Sequence, residues 1–266
     1  MKTTDFQELV WDKARELYRE MPWRQDTRPY YVLVSEIMLQ QTQVDRVIPK
    51  FEAFIERFPD IKTLAEASLS EVLKLWSGLG YNRRAKFLHE AAKKIVTEYE
   101  GVFPNTHEGL VSLPGVGVNT AGAILAYSFN EPVVYIETNV RTVYFHHYFD
   151  DVMTVTDKEL WLLAEETIDR EHAREWYWGI MDYGSYLKRQ GVGRNNKSHH
   201  YKKQSALKGS IREVRGAILK VLAKQNLAEP QLREKTHDDE RFPVALEGLL
   251  ADGLVVLIKG LYQLAD

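Results

Sequence analysis

Between residues 30 and 129 apolar side chains recur every three or four positions in a series of short runs, at 30–40, 47–58, 63–67, 70–75, 83–99, 106–113 and 119–129. That period is the signature of helices that bury one face. Pro49, Pro59, Gly78, Gly80, Gly101, Pro104 and Pro114 punctuate the runs, so the joints are short. Two more helices are predicted at 139–148 and 157–167 and a third through 176–188, followed by a Gly- and Asn-containing loop at 191–197. The pattern predicts an all-α core.

From about residue 206 the pattern changes. Ile211, Val214, Ile218, Val221 and Leu222 form one stripe, 227–235 reads as a short second helix, and Val244, Leu246, Leu249 and Leu250 mark a third. Two apolar runs, 254–258 and 261–264, then flank Lys259-Gly260 as a β-hairpin. Three helices followed by a hairpin is the winged-helix order. Such modules bind DNA through the third helix or serve protein contacts, and here that helix reads as carrying Asp238, Asp239, Glu240 and Glu247 with Arg241 alone basic. Both uses stay open.

A chain of 266 residues with 44% apolar and 27% charged residues holds a large core and more than one domain. It has no cysteine, which removes disulfides, thiolate zinc sites and cysteine-ligated iron–sulfur clusters. No apolar run nears the roughly 20 residues of a membrane span, and the first residues lack the order of a secretion signal. The expectation is a cytoplasmic, nucleoid-associated protein of bacterial or archaeal type without membrane contact. Net charge is −3 but uneven: residues 188–216 hold nine Lys or Arg, among them Arg194, Lys197, Lys202 and Lys203, against Glu213 alone, while 150–182 is acidic. A basic strip can be a solvated linker; beside a phosphate-binding turn it reads as a polyanion contact.

Such a turn is present. Leu113-Pro114-Gly115-Val116-Gly117-Val118-Asn119-Thr120-Ala121 places two glycines in a tight turn between two predicted helices, a helix-hairpin-helix. The second helix offers backbone N–H groups and the positive end of its dipole to an anion. It lacks the Gly-Lys-Ser/Thr and the preceding strand of a nucleotide P-loop. A nucleic-acid backbone is the better ligand.

Two acids stand out. Glu36 shares a helix with Val32, Leu33 and Leu39, so desolvation should raise its pKa. It is either a buried acid with a structural partner or the proton donor that a glycosidic-bond hydrolase needs for its leaving base. Glu137 follows four apolar residues and precedes a helix, so N-cap N–H groups should lower its pKa and keep it ionised. Ordinary capping explains it equally well. One raised and one lowered carboxyl would suit cleavage through an oxocarbenium-like sugar.

The ordered motifs Pro22-Trp23, Ser35-Glu36-Ile37-Met38-Leu39-Gln40-Gln41-Thr42-Gln43-Val44, Leu75-Trp76-Ser77-Gly78-Leu79-Gly80-Tyr81, Leu113-Pro114-Gly115-Val116-Gly117 and Asn139-Val140 resemble the catalytic domain of MutY-type adenine DNA glycosylases of the helix-hairpin-helix (HhH-GPD) superfamily. The resemblance covers residues 8 to about 190. It implies a two-lobed glycosylase domain at 1–205, with a helical lobe at 29–132 and a second lobe from 1–28 plus 133–205, followed by the winged-helix domain at 206–266. Glu36 would be the general acid, and Glu137 before Asn139 would stabilise the sugar cation. Gln40, Gln41, Tyr81 and Asn82 would lie where a nucleotide is extruded from duplex DNA carrying a mismatch or lesion. Gly115, Val116, Gly117, Asn119 and Thr120 would hold the backbone, and Trp23, Val44 and Trp178 would line the base pocket. A monomer with no required cofactor or catalytic metal is implied, with a structural monovalent cation at the hairpin carbonyls as in relatives.

The departures are specific. Glu137 stands where the family has Asp, Asn82 where it has an intercalating Tyr, and Trp178 where it has a polar residue facing adenine. Leu187 lies near the first position of the family's cluster cysteines, so the segment 188–203 occupies the cluster loop and is expected to replace its phosphate contacts. A winged helix stands where the family has its Nudix-like domain. The lysine nucleophile of strand-cutting relatives is replaced by Asn119, which implies a monofunctional enzyme. Adenine opposite G or oxidised guanine is the first reading of the substrate. Thymine or uracil opposite G, with Trp176 and Trp178 either stacking on the base or filling the core, is the second, and a non-catalytic DNA-binding regulator is the third.

Overall fold

The computed structural model describes residues 1–149, 155–192 and 206–266. The chain packs as two compact units, one made of Met1–Glu36, Asn105–Ser112 and Val116–Lys203, the other of Ile37–Pro104, Leu113–Gly115 and Gln204–Asp266. The division falls inside the helix that carries Glu36, and residues 206–266 pack with the segment 37–104.

The first unit contains α1 (Thr3–Leu17), α2 (Pro22–Gln25), the start of α3 (Pro29–Leu39), α8 (His107–Val111), α9 (Val118–Phe129), α10 (Thr138–Tyr148), α11 (Asp157–Thr167) and α12 (Ala173–Arg189). Helix α12 is its axis, packed against α1, α9 and α10. Two glycines set those approaches. A methyl on Gly179 would lie 2.6 Å from Cβ of Ala14 in α1, and one on Gly184 would lie 2.3 Å from the carbonyl oxygen of Asn139 in α10. Trp176 is fully buried and meets the rings of Phe6 and Trp11 edge-on, which assigns it to the core. Asp182 is also buried and is neutralised by Arg19 and Arg24, each at 2.6 Å. Unpaired, a charge there would cost several kcal/mol.

The second unit contains α4 (Val44–Arg57), α5 (Ile61–Glu66), α6 (Leu69–Trp76), α7 (Arg83–Glu98), and, from the C-terminal stretch, α13 (Ile211–Leu222), α14 (Glu229–Lys235), α15 (Arg241–Ala251), β1 (Val255–Ile258) and β2 (Leu261–Leu264). Asp60 caps α5 and a Ser68–Glu71 capping box opens α6, and each helix begins on a buried apolar residue, Ile61 and Leu69. Pro49 does not break the chain. It sits in the second turn of α4, where it removes one backbone donor.

The C-terminal module has the expected order of three helices and an antiparallel hairpin, in register from Val255↔Leu264 to Ile258↔Leu261. Lys259 and Gly260 both take positive φ, 51° and 78°, as a two-residue hairpin turn with primed geometry requires. Two expectations shift. Leu227 precedes α14 and bridges to Tyr262, and Asp238, Asp239 and Glu240 precede α15 rather than lying on it. Asp239 and Glu213 hold Arg241 at 2.6 and 3.0 Å. The exposed face of α15 then carries Pro243, Val244, Glu247 and Leu250, with no cation to meet phosphate.

Candidate active site

In the first unit α3 holds Glu36 among the buried side chains of Val32, Leu33 and Val34. A partial opening to solvent remains, but the surrounding protein deprives the carboxyl of hydration and pushes its pKa well up. The nearby charge of Glu137 pushes it further. Glu36 therefore holds its proton where an ordinary glutamate has lost it.

Glu137 differs from its expected state. Its backbone is the N-cap of α10, extended at φ −98° and ψ 173°, yet its side chain makes no capping bond. Burial raises its pKa instead of N–H groups lowering it, and the ammonium of Lys188 opposes that rise. Both acids are raised by burial, and Lys188 stands beside Glu137 and opposes its rise.

Sequence reasoning counted Lys188 in the basic strip and missed its place beside Glu137. Lys188 lies in the last turn of α12 and its Nζ donates to Oδ1 of Asn139 at 3.0 Å. Its own pKa is lowered by burial and by Arg19, with Glu137 pulling the other way. One signal was available: Lys188 is one helical turn after Gly184, the position that abuts Asn139.

The segment before Glu137 belongs to no helix and pairs with no strand among the described residues. Asn119 Nδ2 donates to the Ile136 carbonyl at 3.0 Å and its Oδ1 accepts from the Ile136 N–H at 3.3 Å. Tyr177 Oη donates to the Val133 carbonyl at 2.9 Å. Side chains thus satisfy the backbone groups that a sheet would otherwise satisfy. Gly122 makes room, since a methyl there would lie 2.7 Å from Cβ of Tyr135. The hairpin helix and Glu137 are held together through these contacts.

Trp178 is half-buried, its ring 6.4 Å from that of Tyr127 with the two planes 29° apart, and the Arg24 guanidinium lies 5.4 Å from its centroid. Burial raises the pKa of Tyr127, and the nearby acids Glu36 and Glu137 raise it further. An aromatic wall therefore adjoins the acids. Trp23 is buried in the same unit, while Val44 is half-buried at the start of α4 in the other.

At the hairpin, Gly117, Val118 and Asn119 are exposed, Val116 and Thr120 are buried, and Gly117, the N-cap of α9, has no side chain with which to cap it. The first N–H groups of α9 are thus left for an external acceptor. Gly115 needs its φ of +78°, and a methyl there would lie 2.8 Å from Cβ of Phe87. Its carbonyl accepts from Gln40 at 3.3 Å, a long bond that leaves one lone pair for a monovalent cation.

In the second unit Gln41 and Tyr81 both adopt left-handed backbone, at φ 56° and 45°. For a tyrosine that conformation is strained, and such strain concentrates at functional turns. Buried Arg84 sustains it. Its guanidinium donates to the carbonyls of Ile37, Met38 and Gln40 at 2.8, 2.9 and 2.6 Å, to Thr42 Oγ1 at 3.1 Å, and to the Gly80 carbonyl at 3.1 Å. It caps α3 and ties the 40–42 turn to the 79–82 turn, at the expense of burial that lowers its pKa to about 10. Arg194, Lys197, Lys202 and Lys203 lie outside the described residues.

The sequence profile described as HhH-GPD superfamily base excision DNA repair protein matches residues 34–166. The adenine DNA glycosylase of Mycobacterium tuberculosis is 33% identical over 271 residues, covering 93% of this chain and 88% of that protein. That of Buchnera aphidicola subsp. Baizongia pistaciae is 38% identical over 170 residues, covering 64% of this chain and 48% of that one. The adenine DNA glycosylase of Mycolicibacterium smegmatis is 46% identical over 137 residues, or 51% of this chain and 46% of that protein. Against the Buchnera and Mycolicibacterium relatives, then, the match spans about half their length. A thermostable thymine-DNA glycosylase superposes with TM-score 0.63 at 26% identity, over 69% of this chain and 86% of that one. A trapped endonuclease III–DNA covalent intermediate superposes with TM-score 0.56 at 18% identity, over 77% of this chain and 90% of that one, a likeness of fold.

Proposed function

The chain belongs to the HhH-GPD superfamily of base excision DNA repair proteins, and from that premise we propose that it is a monofunctional DNA N-glycosylase that removes adenine opposite G or oxidised guanine. The observation that carries the proposal is the acid pair within one unit, the Glu36 carboxyl pushed well up by burial and by the nearby Glu137, and Glu137 with Lys188 beside it. The base leaves poorly as an anion, so a proton must reach it as the C1′–N bond breaks. Glu36 supplies that proton, and the bonding pair departs with the neutral base. The sugar is left as an oxocarbenium ion, which the Glu137 carboxylate stabilises. Water adds to C1′ and its proton restores Glu36. Every step is hydrolytic, and the product is an intact abasic site.

The hairpin N–H groups and the basic segment 188–216 are the proposed DNA backbone contacts, and the hairpin carbonyls can seat a structural cation. Asn119 offers an amide, already bonded to Ile136 at both ends, where strand-cutting chemistry needs an amine. One observation favours a second substrate. Trp178 presents an aromatic face near the acids, and the thymine-DNA glycosylase is a fold relative, so thymine or uracil opposite G is the competing reading. Single-turnover excision on duplexes carrying A opposite G, A opposite oxidised G, T opposite G and U opposite G, developed with alkali, separates the two. Cleavage of the adenine duplexes is the expected result. A borohydride-trapped covalent complex, through Lys188 or any other amine, would contradict the monofunctional part, and tight binding without excision of any base would favour a regulator.

A further inference from the structure

All four arginines of the C-terminal module are engaged within the second unit. Arg212 donates to the Tyr81 hydroxyl and, at 3.4 Å, to the Ala206 carbonyl, Arg215 pairs with Asp252, Arg233 with Glu229 at 2.9 Å, and Arg241 with Asp239 and Glu213. The lysines are different. Lys220, Lys224 and Lys235 line one groove of about 390 Å³ together with Ala217, Val221 and Gln225. All three are exposed, and among the described residues none of them forms an ion pair.

Helix α13 supplies Lys220 from its last turn, Lys224 follows two residues beyond its end, and α14 ends on Lys235. The free carbonyls of a helix C-terminus favour a nearby cation. They do not account for three ammonium groups on one groove, where like charges repel. The carboxylates on and just after α14 do not relieve them: Glu229 and Asp238 are held by Arg233 at 2.9 and 3.5 Å, and Glu234 precedes Lys235 on a helix, where consecutive side chains point apart. One turn before Lys220, Gly216 leaves open space, since a methyl there would meet no atom within 4 Å. The groove thus holds three point charges with neither a forked donor nor a stacking ring. That is chemistry for phosphate oxygens and not for a base edge. Helix α15 offers the reverse, an exposed face that is apolar and acidic.

We infer that this groove, outside the basic segment 188–216, is a second and sequence-indifferent contact with the DNA backbone, and that the module grips duplex through Lys220, Lys224 and Lys235 rather than through α15. The inference rests on the glycosylase reading for its DNA, but its test needs no turnover. Equilibrium binding of the full chain is measured over a salt series on an undamaged duplex and on one holding a non-cleavable abasic analogue. The triple variant Lys220→Gln, Lys224→Gln, Lys235→Gln should make the plot of log affinity against log salt concentration shallower by about 2–3 units on both duplexes. Affinity at about 0.1 M salt should fall by on the order of tenfold or more, equally on the two. The corresponding triple Lys→Arg variant should restore both values, because the charge returns. Circular dichroism confirms that each variant is folded. An unchanged salt slope in the Gln variant overturns the inference and leaves the groove to an acidic protein surface. So does a loss confined to the abasic-analogue duplex, which marks a lesion contact. An equal loss on replacing instead the exposed Lys62, Lys74 and Lys93 of α5, α6 and α7 by Gln marks net charge alone and overturns it too. Wild-type protein that excises no base, with the salt-slope difference intact, defeats the glycosylase reading and leaves the groove contact standing.

Discussion

Glu36, Glu137 and Lys188 set a testable pH dependence. In the proposed mechanism Glu36 is protonated and Glu137 ionised, so the rate should fall as pH rises through the elevated pKa of Glu36 and again as pH falls through that of Glu137. Lys188 lowers the Glu137 pKa, so Lys188→Met should move the acidic limb of the single-turnover profile to higher pH. An unmoved acidic limb would remove Lys188 from this role. Arg84 permits a stability prediction. Arg84→Met leaves at least four buried or half-buried acceptors without their donor, and should cost roughly 2–4 kcal/mol in denaturant unfolding. The raised pKa of Glu36 was legible because an acid in an apolar helix is conspicuous. Arg84 was not, since its acceptors are backbone carbonyls and carry no residue code. The state of Glu137 was misread for a related reason: position at a helix start does not fix where a side chain points.

Among elements, most helices of the core were legible as apolar runs, and α1 was not. Helix α1 buries only Phe6 and Val10, and its close seat on α12 depends on Ala14 meeting Gly179, small residues that leave no stripe. The caps at Asp60 and Ser68 start α5 at Ile61 and α6 at Leu69, ahead of the predicted runs that begin at 63 and 70. The α10–α12 crossing positions the site. Gly184→Ala inserts a methyl against the Asn139 backbone and should cost about 1–3 kcal/mol. Because Asn139 and Glu137 both ride on α10, the excision rate should fall more than DNA affinity does. Comparable losses in both would separate that crossing from the chemistry.

Over the whole molecule the sequence announced a basic segment and a winged-helix module, and both were legible as composition and pattern. The contact of that module with Tyr81 was not legible, because Tyr81 and Arg212 are 131 positions apart. With a net charge of −3, DNA binding must rest on local cations and hairpin N–H groups. Affinity should therefore fall steeply with salt, in a linear plot of log affinity against log salt concentration, and a flat plot would argue against backbone contacts. The central claim, that Glu36 is the acid that expels the base, is tested most directly by single-turnover excision of adenine opposite G with Glu36→Gln beside the wild type, DNA affinity being measured in parallel. A rate lowered by about 10²–10⁴-fold with affinity retained is the predicted result. Excision at the wild-type rate by Glu36→Gln would contradict it.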